Sequence, residues 1–261
     1  NEIKTRIVQQ NLSKSNINLN YGDVNMFSFS QSVLFFVPLG SRSVFCFDFR
    51  YNKLFTAINN SSHLSAITCL DSFDNYVVSG SNDTSIVCWF LDPRGISTFK
   101  LLLAHSKPIQ FIRIVNKMKI MLAVDNSGHM SISTFPYLKL IKIIDFDFEP
   151  DIVDMTKCCL IAIKGSKVES FTSNGVKIGE RIFTNYQIIC EIAVEVVSRS
   201  DVVAIATSTN EVLLLNCVSL EIVGMLAKLD SQARLMKFDE KYGTIVIVTD
   251  KNEVLFVQIP D

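Results

Sequence analysis

Ser81-Asn82-Asp83-Thr84-Ser85-Ile86-Val87-Cys88-Trp89 joins a polar turn to a short run of β-branched and aromatic residues. A run of that kind, bounded by Asn, Asp and Ser, reads as a β-strand. The strand recurs at residues 43–47, 129–133, 167–171, 211–215 and 253–257. Aligned on residues 44, 86, 130, 168, 212 and 254, the copies are spaced by 42, 44, 38, 44 and 42 residues. A period of about 40 to 45 residues is that of a four-stranded propeller blade.

Each copy has the same neighbours. A second apolar run precedes it, at residues 33–37, 76–79, 120–124, 159–163, 202–206 and 244–248. The link between the two is a short polar turn such as Asp125-Asn126-Ser127-Gly128. A third run lies further upstream (66–70, 109–114, 188–194, 235–238) and a fourth downstream (99–103, 138–144, 176–182, 221–226). Four strands per period, repeated, predict an all-β fold: a β-propeller of four-stranded blades. One four-stranded sheet cannot bury both its faces, whereas equal sheets stacked in sequence bury one another's. Six blades are recognisable and a seventh stays open. The whole of 1–261 is expected to form a single propeller domain. After Ile259 only Pro260 and Asp261 remain, so the last repeat lacks an outer strand. Residues 3–9 supply it, or else the first twenty residues are the remnant of a further blade.

The chain has 261 residues, 48% of them hydrophobic and 20% charged, enough for a large core and too apolar for disorder. Twenty-five Lys and Arg against 26 Asp and Glu give a net charge of −1, which argues against a nucleic-acid partner. The seven cysteines include no CxxC pair and are expected to be reduced, buried thiols of a cytoplasmic protein. The N-terminus has neither an apolar signal core nor an initiating Met, so a longer chain upstream is expected. Residues 24–41 carry no charge, about the length of a membrane helix. Gln31, Pro38 and four serines interrupt them, and Phe27-Ser28-Phe29-Ser30 alternates with period two. Two strands are expected there, with no insertion into a membrane.

The second repeat resembles a WD repeat: His63, then Ser79-Gly80-Ser81, Asp83 and Trp89 follow that family's pattern. The resemblance implies a buried hydrogen-bonded network of His63, Ser79, Asp83 and Trp89. His105 stands 42 residues after His63, at the matching place. Elsewhere the signature decays. Phe47, Ser133, Phe171, Leu215 and Val257 take the Trp position, and Ser127, Thr209 and Lys251 the place of the turn Asp. From about Leu39 onward the chain looks like the C-terminal propeller of BEACH-domain proteins, the neurobeachin and lysosomal trafficking regulator group. The residues carrying this are Phe45-Cys46-Phe47-Asp48 with His63 and Ile67-Thr68-Cys69-Leu70, the stretch Val77-Val78-Ser79-Gly80-Ser81-Asn82-Asp83-Thr84, and Phe171-Thr172-Ser173-Asn174-Gly175. That resemblance implies BEACH and PH-like domains upstream, a scaffold acting in vesicle trafficking or membrane dynamics, and membrane association only through those other domains.

Catalytic chemistry finds little support. His63, His105 and His129 are the only histidines, and none has zinc spacing. Asp145-x-Asp147-x-Glu149-x-Asp151 puts acids on one side of an extended segment, able to hold a cation or a basic peptide; a solvated connector ending at Pro150 is the favoured reading. No phosphate loop and no GxSxG elbow occurs. The expectation is a non-enzymatic protein-interaction module with no cofactor and no metal. Its contacts would come from loops, with Asp92, Arg94, Lys107 and Asn126 as candidates. A WD adaptor of another assembly, such as a ubiquitin ligase, is the alternative, and a propeller enzyme a more distant one.

Overall fold

Neighbouring residues of a strand point to opposite sides of its sheet. In this chain the two sides of an inner strand feed two different cores. The computed structural model describes residues 24–30, 32–56, 63–156, 159–196, 199–239, 243–251 and 253–258. All regular structure among them is strand, apart from one 3-10 turn at Asn116–Met118. They fall into two compact units, one within residues 17–150 and one within 151–261.

The first unit holds three sheets. Strands β1 (Val24–Ser30), β2 (Val33–Pro38), β3 (Phe45–Asp48) and β4 (Lys53–Thr56) form the first; β5 (Ile67–Phe73), β6 (Tyr76–Ser81), β7 (Ile86–Asp92) and β8 (Gly95–Leu102) the second. The third is β9 (Ile109–Val115), β10 (Ile120–Asp125), β11 (His129–Thr134) and β12 (Leu140–Asp145). The second unit repeats the plan with β13 (Ile152–Met155), β14 (Cys159–Lys164), β15 (Lys167–Thr172) and β16 (Lys177–Ile182), and then with β17 (Ile188–Val196), β18 (Arg199–Thr207), β19 (Glu211–Asn216) and β20 (Ile222–Lys228). Its last sheet has three strands, β21 (Ala233–Asp239), β22 (Thr244–Thr249) and β23 (Val254–Gln258). Every strand pairs antiparallel with the next in its sheet, and the fold is a six-bladed β-propeller. The expected closing strand at residues 3–9 and the remnant within 1–20 lie outside the described residues. Most of the uncharged stretch 24–41 is the β1–β2 hairpin.

Burial explains the near-continuous apolar runs. On β7, Val87, Trp89 and Leu91 enter the core shared with the first blade, while Ile86 and Cys88 enter the core shared with the third. On β6, Val77 and Val78 divide in the same way. On β19, Leu213 and Leu215 face the fourth blade's core, Val212 and Leu214 that of the sixth. Outward, the need for apolar residues fades: all of β10 is buried, whereas β12 is exposed except at Ile144. The innermost strands of the first unit are also laced by polar contacts. Ser28 and Ser72 share a hydroxyl hydrogen bond (2.7 Å), and the Ile114 amide donates to the Asp71 carboxylate (2.7 Å). The Thr68 hydroxyl donates to the carbonyl of Ile109.

One strand starts earlier than its sequence suggests. The outer strand expected at residues 99–103 begins at Gly95, because Asp92 takes the amides of Arg94 (2.7 Å) and Gly95 (3.2 Å) and reverses the chain within two residues. Of the cysteines whose side chains are described, Cys46, Cys88, Cys159 and Cys217 are buried and Cys69 is partly buried, and none of them forms a disulfide. Among the described residues no helix is long and apolar enough to cross a membrane.

Candidate functional site

The loop from β4 to β5 delivers His63 onto the second blade, where its imidazole is buried. Its Nε2 lies 2.7 Å from the Ser79 hydroxyl, which also accepts the Trp89 indole N–H at 2.7 Å. Its Nδ1 lies 2.8 Å from the Ser85 hydroxyl and 3.4 Å from an Asp83 carboxylate oxygen. Ser85 in turn donates its hydroxyl and its amide to Asp83. One proton order satisfies every group. Trp89 donates to Ser79 and Ser79 to Nε2, while Nδ1–H donates to Ser85 and Ser85 to Asp83. Ser79, Asp83 and Trp89 thus all converge on His63, but Ser85 stands between the histidine and the acid. The sequence pattern contains no position for that relay.

The same carboxylate has a second task. Asp83 accepts the backbone amide of Leu64 (2.5 Å), whose side chain is 86% exposed. A solvent-facing leucine is therefore fixed by the buried network beneath it.

The third blade builds an equivalent network from other positions. Nδ1–H of His105 donates to Asp125 (3.0 Å), and Nε2 accepts from Ser131 (2.8 Å). Asp125 stands 44 residues after Ser81, and Ser127, at the turn-Asp position, donates hydroxyl and amide to it. Serine and aspartate have exchanged places. The strand hydroxyl has moved as well: Ala123 stands where the second blade has Ser79, and Ser131 is its direct partner across the β10–β11 ladder. Both Asp125 and Ser131 were missed in the sequence, because the motif was sought position by position. His129 is half-buried, edge-on to His105 (5.7 Å between ring centroids) and paired with Asp145. We predict that Asp125→Ala lowers stability by about 1 to 3 kcal/mol by orphaning His105, whereas Ser127→Ala costs under about 1 kcal/mol. Urea unfolding of the two variants checks the order; equal losses would contradict it.

Burial pushes both His63 and His105 below their ordinary value of 6.5, outweighing the pull of Asp83 and Asp125. Burial works against the charge of Asp83 and Asp125 too, but hydrogen bonds, first those from Ser85 and from Ser127, hold both carboxyls below 3.8. The folded pair is a neutral imidazole beside a carboxylate. An unfolded histidine takes up its proton near 6.5 and the folded one only at lower pH, so the unfolded chain binds more protons in that window. Stability is thus expected to be level from pH 8 down to about 6.5 and to fall below it. The contribution of the carboxylates is lost only as pH drops below about 3.8. A urea midpoint indifferent to pH between about 7.5 and 5 would contradict this.

The four loop candidates do not come together. Asp92 and Arg94 form the β7–β8 turn, with the Arg94 guanidinium 3.1 Å from the Asp92 carboxylate and otherwise in solvent. Lys107 and Asn126 are exposed at the opposite end of the strands, on the side of His63. There the Asn126 amide donates to the Pro108 carbonyl (3.1 Å). In the acidic stretch Asp145, Asp147, Glu149 and Asp151 are exposed, while Phe146 is buried. Among the described residues no group of three or more His, Cys, Asp and Glu side chains is placed to hold a metal ion.

No protein-family model matches the chain, and no curated protein matches it. Solved structures do. The crystal structure of the computationally designed Ika8 protein is similar with a TM-score of 0.67 at 14% identity, over 90% of this chain and 71% of that one. A chain of the mitotic checkpoint complex is similar with a TM-score of 0.69 at 12% identity, over 91% of this chain and 77% of that one. At such identities the likeness speaks for the fold alone.

Proposed function

We propose that the chain is a non-enzymatic protein-interaction module. It offers fixed loops to a protein partner and uses neither cofactor nor metal. The observation carrying this reading is the tether on Leu64. A leucine that is 86% exposed gains nothing for the fold, yet its amide is held by a carboxylate inside a fully satisfied buried network. An exposed apolar side chain carried on backbone that is already held loses no main-chain entropy on binding. Loops carried by rigid sheets are where binding residues usually lie.

The finer reading is a BEACH-type scaffold acting in vesicle trafficking or membrane dynamics from the cytoplasm. It rests on the resemblance at Phe45-Cys46-Phe47-Asp48, Val77–Thr84 and Phe171-Thr172-Ser173-Asn174-Gly175. Two measurements test the levels separately. Immobilised chain is expected to retain a defined protein partner that Leu64→Asp releases while the melting temperature stays unchanged. A partner indifferent to Leu64, Lys107 and Asn126 would remove the loop reading. Coding sequence upstream of Asn1 is expected to specify BEACH and PH-like domains. Any other domain there would make the chain an adaptor of a different assembly.

A further inference from the structure

The outer strands differ in how their free edges are guarded. A strand that has to stay single is kept short, carries charge within its span, or is bulged. β4 is four residues long and opens with Lys53, while β8 carries Lys100, β12 Lys142, and β16 Glu180 with Arg181. From Ile222 to Ala227, β20 carries no charge. Ile222, Val223 and Met225 are exposed there, and no strand lies on the outer edge among the described residues. Charge stands only at the two ends. Glu221 immediately precedes the strand and Lys228 closes it; both are exposed, and neither is in an ion pair among the described residues. Glu211, which faces Lys228 across the β19–β20 ladder, is turned to the Thr209 hydroxyl (3.2 Å).

β20 does have bulges, and their placement is symmetric. Ala227 pairs with Val212 and Met225 with Leu213, so Leu226 is the extra residue of one bulge. Gly224 pairs with Leu214 and Ile222 with Leu215, so Val223 is the extra residue of the other. Val223 and Leu226 lie equally far from the Gly224–Met225 bond, and so do Glu221 and Lys228. A bulge guards an edge because a regular strand laid against it falls out of register. A second copy of β20, run antiparallel about that bond, meets no such mismatch. Each bulge then faces a bulge, Val223 against Leu226, and Glu221 of each copy stands opposite Lys228 of the other. Gly224 offers bare backbone at the centre, where a Cβ would meet nothing within 4 Å.

We infer that the chain pairs with a second copy of itself through β20, as a two-fold dimer. The edge supplies unpaired backbone donors and acceptors, and the apolar span loses its contact with water. A regular strand from another protein would match neither the bulges nor the end charges. Two-fold pairing uses up both edges, so assembly stops at two chains. The interface is small, and the dimer dissociates on dilution. This surface belongs to the fifth blade and the Leu64 loop to the second, so self-association and partner capture can fail separately.

Sedimentation velocity of the full chain is the test. A dimer is expected at about 100 μM, passing to monomer on dilution. Met225→Lys puts a charge inside the span and is expected to leave a monomer. The end charges report the register. Glu221→Lys and Lys228→Glu, made singly, each set like charges against each other, and every change enters a two-fold interface twice. Each is expected to raise the dissociation constant about tenfold or more. Made together they restore opposite charges, and the constant is expected to return to within about threefold of wild type. All three positions are exposed, so each variant is expected to keep the circular dichroism spectrum of the wild type. A chain monomeric at that concentration, assemblies larger than two, indifference to Met225→Lys, or a double variant no tighter than the single ones would each overturn the inference. A chain that never dimerises, yet loses a bound partner on Leu64→Asp, would overturn it while leaving the module reading intact.

Discussion

Trp89→Ala is expected to lower the stability of the first unit by about 3 to 5 kcal/mol, the usual range for a large aromatic removed from a core. Trp89 is fully buried, at the centre of the packing between the first two blades. Two losses add: a cavity where the indole stood, and a Ser79 hydroxyl deprived of the N–H it accepts. Trp89→Phe separates them, keeping most of the volume while losing the donor, and is expected to fall between the wild type and the alanine variant. As the only tryptophan in the chain, Trp89 reports on its own surroundings. The folded protein should show blue-shifted emission that moves red in the same urea transition that circular dichroism follows. An alanine variant within about 1 kcal/mol of wild type would mean that this core is not packed around the indole.

Gly80→Val is the second large effect. A Cβ at position 80 would stand 2.5 and 2.7 Å from the Ile109 side chain and 2.8 Å from the Cys69 sulfur. Ile109 belongs to the next blade, is β-branched and is fully buried, so it cannot swing away. Overpacking of this kind costs about 1 to 3 kcal/mol, and the two extra methyls of valine put the expected loss at the upper end. The mechanism has a sharper signature than the loss itself. Ile109→Ala is destabilising alone, but combined with Gly80→Val the two changes should offset one another by about 1 kcal/mol or more. Strict additivity would show that the valine acts elsewhere. Gly80 reads in the sequence as one letter of a turn motif; its place in the structure is that of a socket for the neighbouring blade.

How far the sequence could be read follows from what each feature depends on. The strands at 86 and 212 were legible because burial on both faces favours apolar letters at successive positions, and the strands at 130, 168 and 254 because they recur at the same spacing after turns of Asn, Asp, Gly and Ser. The outer strand β8 was read four residues late, since an exposed strand may be polar and Ser97-Thr98 resembles a loop. The second blade's network could be anticipated because its motif is nearly complete. The third blade's could not: a hydrogen bond requires a donor and an acceptor at about 3 Å, and it is indifferent to which strand supplies them. Ser131 replaces Ser79 from across a ladder, and Asp125 replaces Asp83 from two residues earlier. Reading by aligned position discards such exchanges; reading by rung of the sheet would have kept them.

The handle by which Asp83 grips its loop is the main-chain N–H of residue 64, and the leucine side chain takes no part in the grip. Display and attachment are therefore separate fittings. Any amino acid with an amide hydrogen could be mounted there without disturbing the mooring, and proline alone would slip it. Descendants of this gene could swap the showpiece of the loop, and with it the guest it greets, while the frame beneath stays as it was.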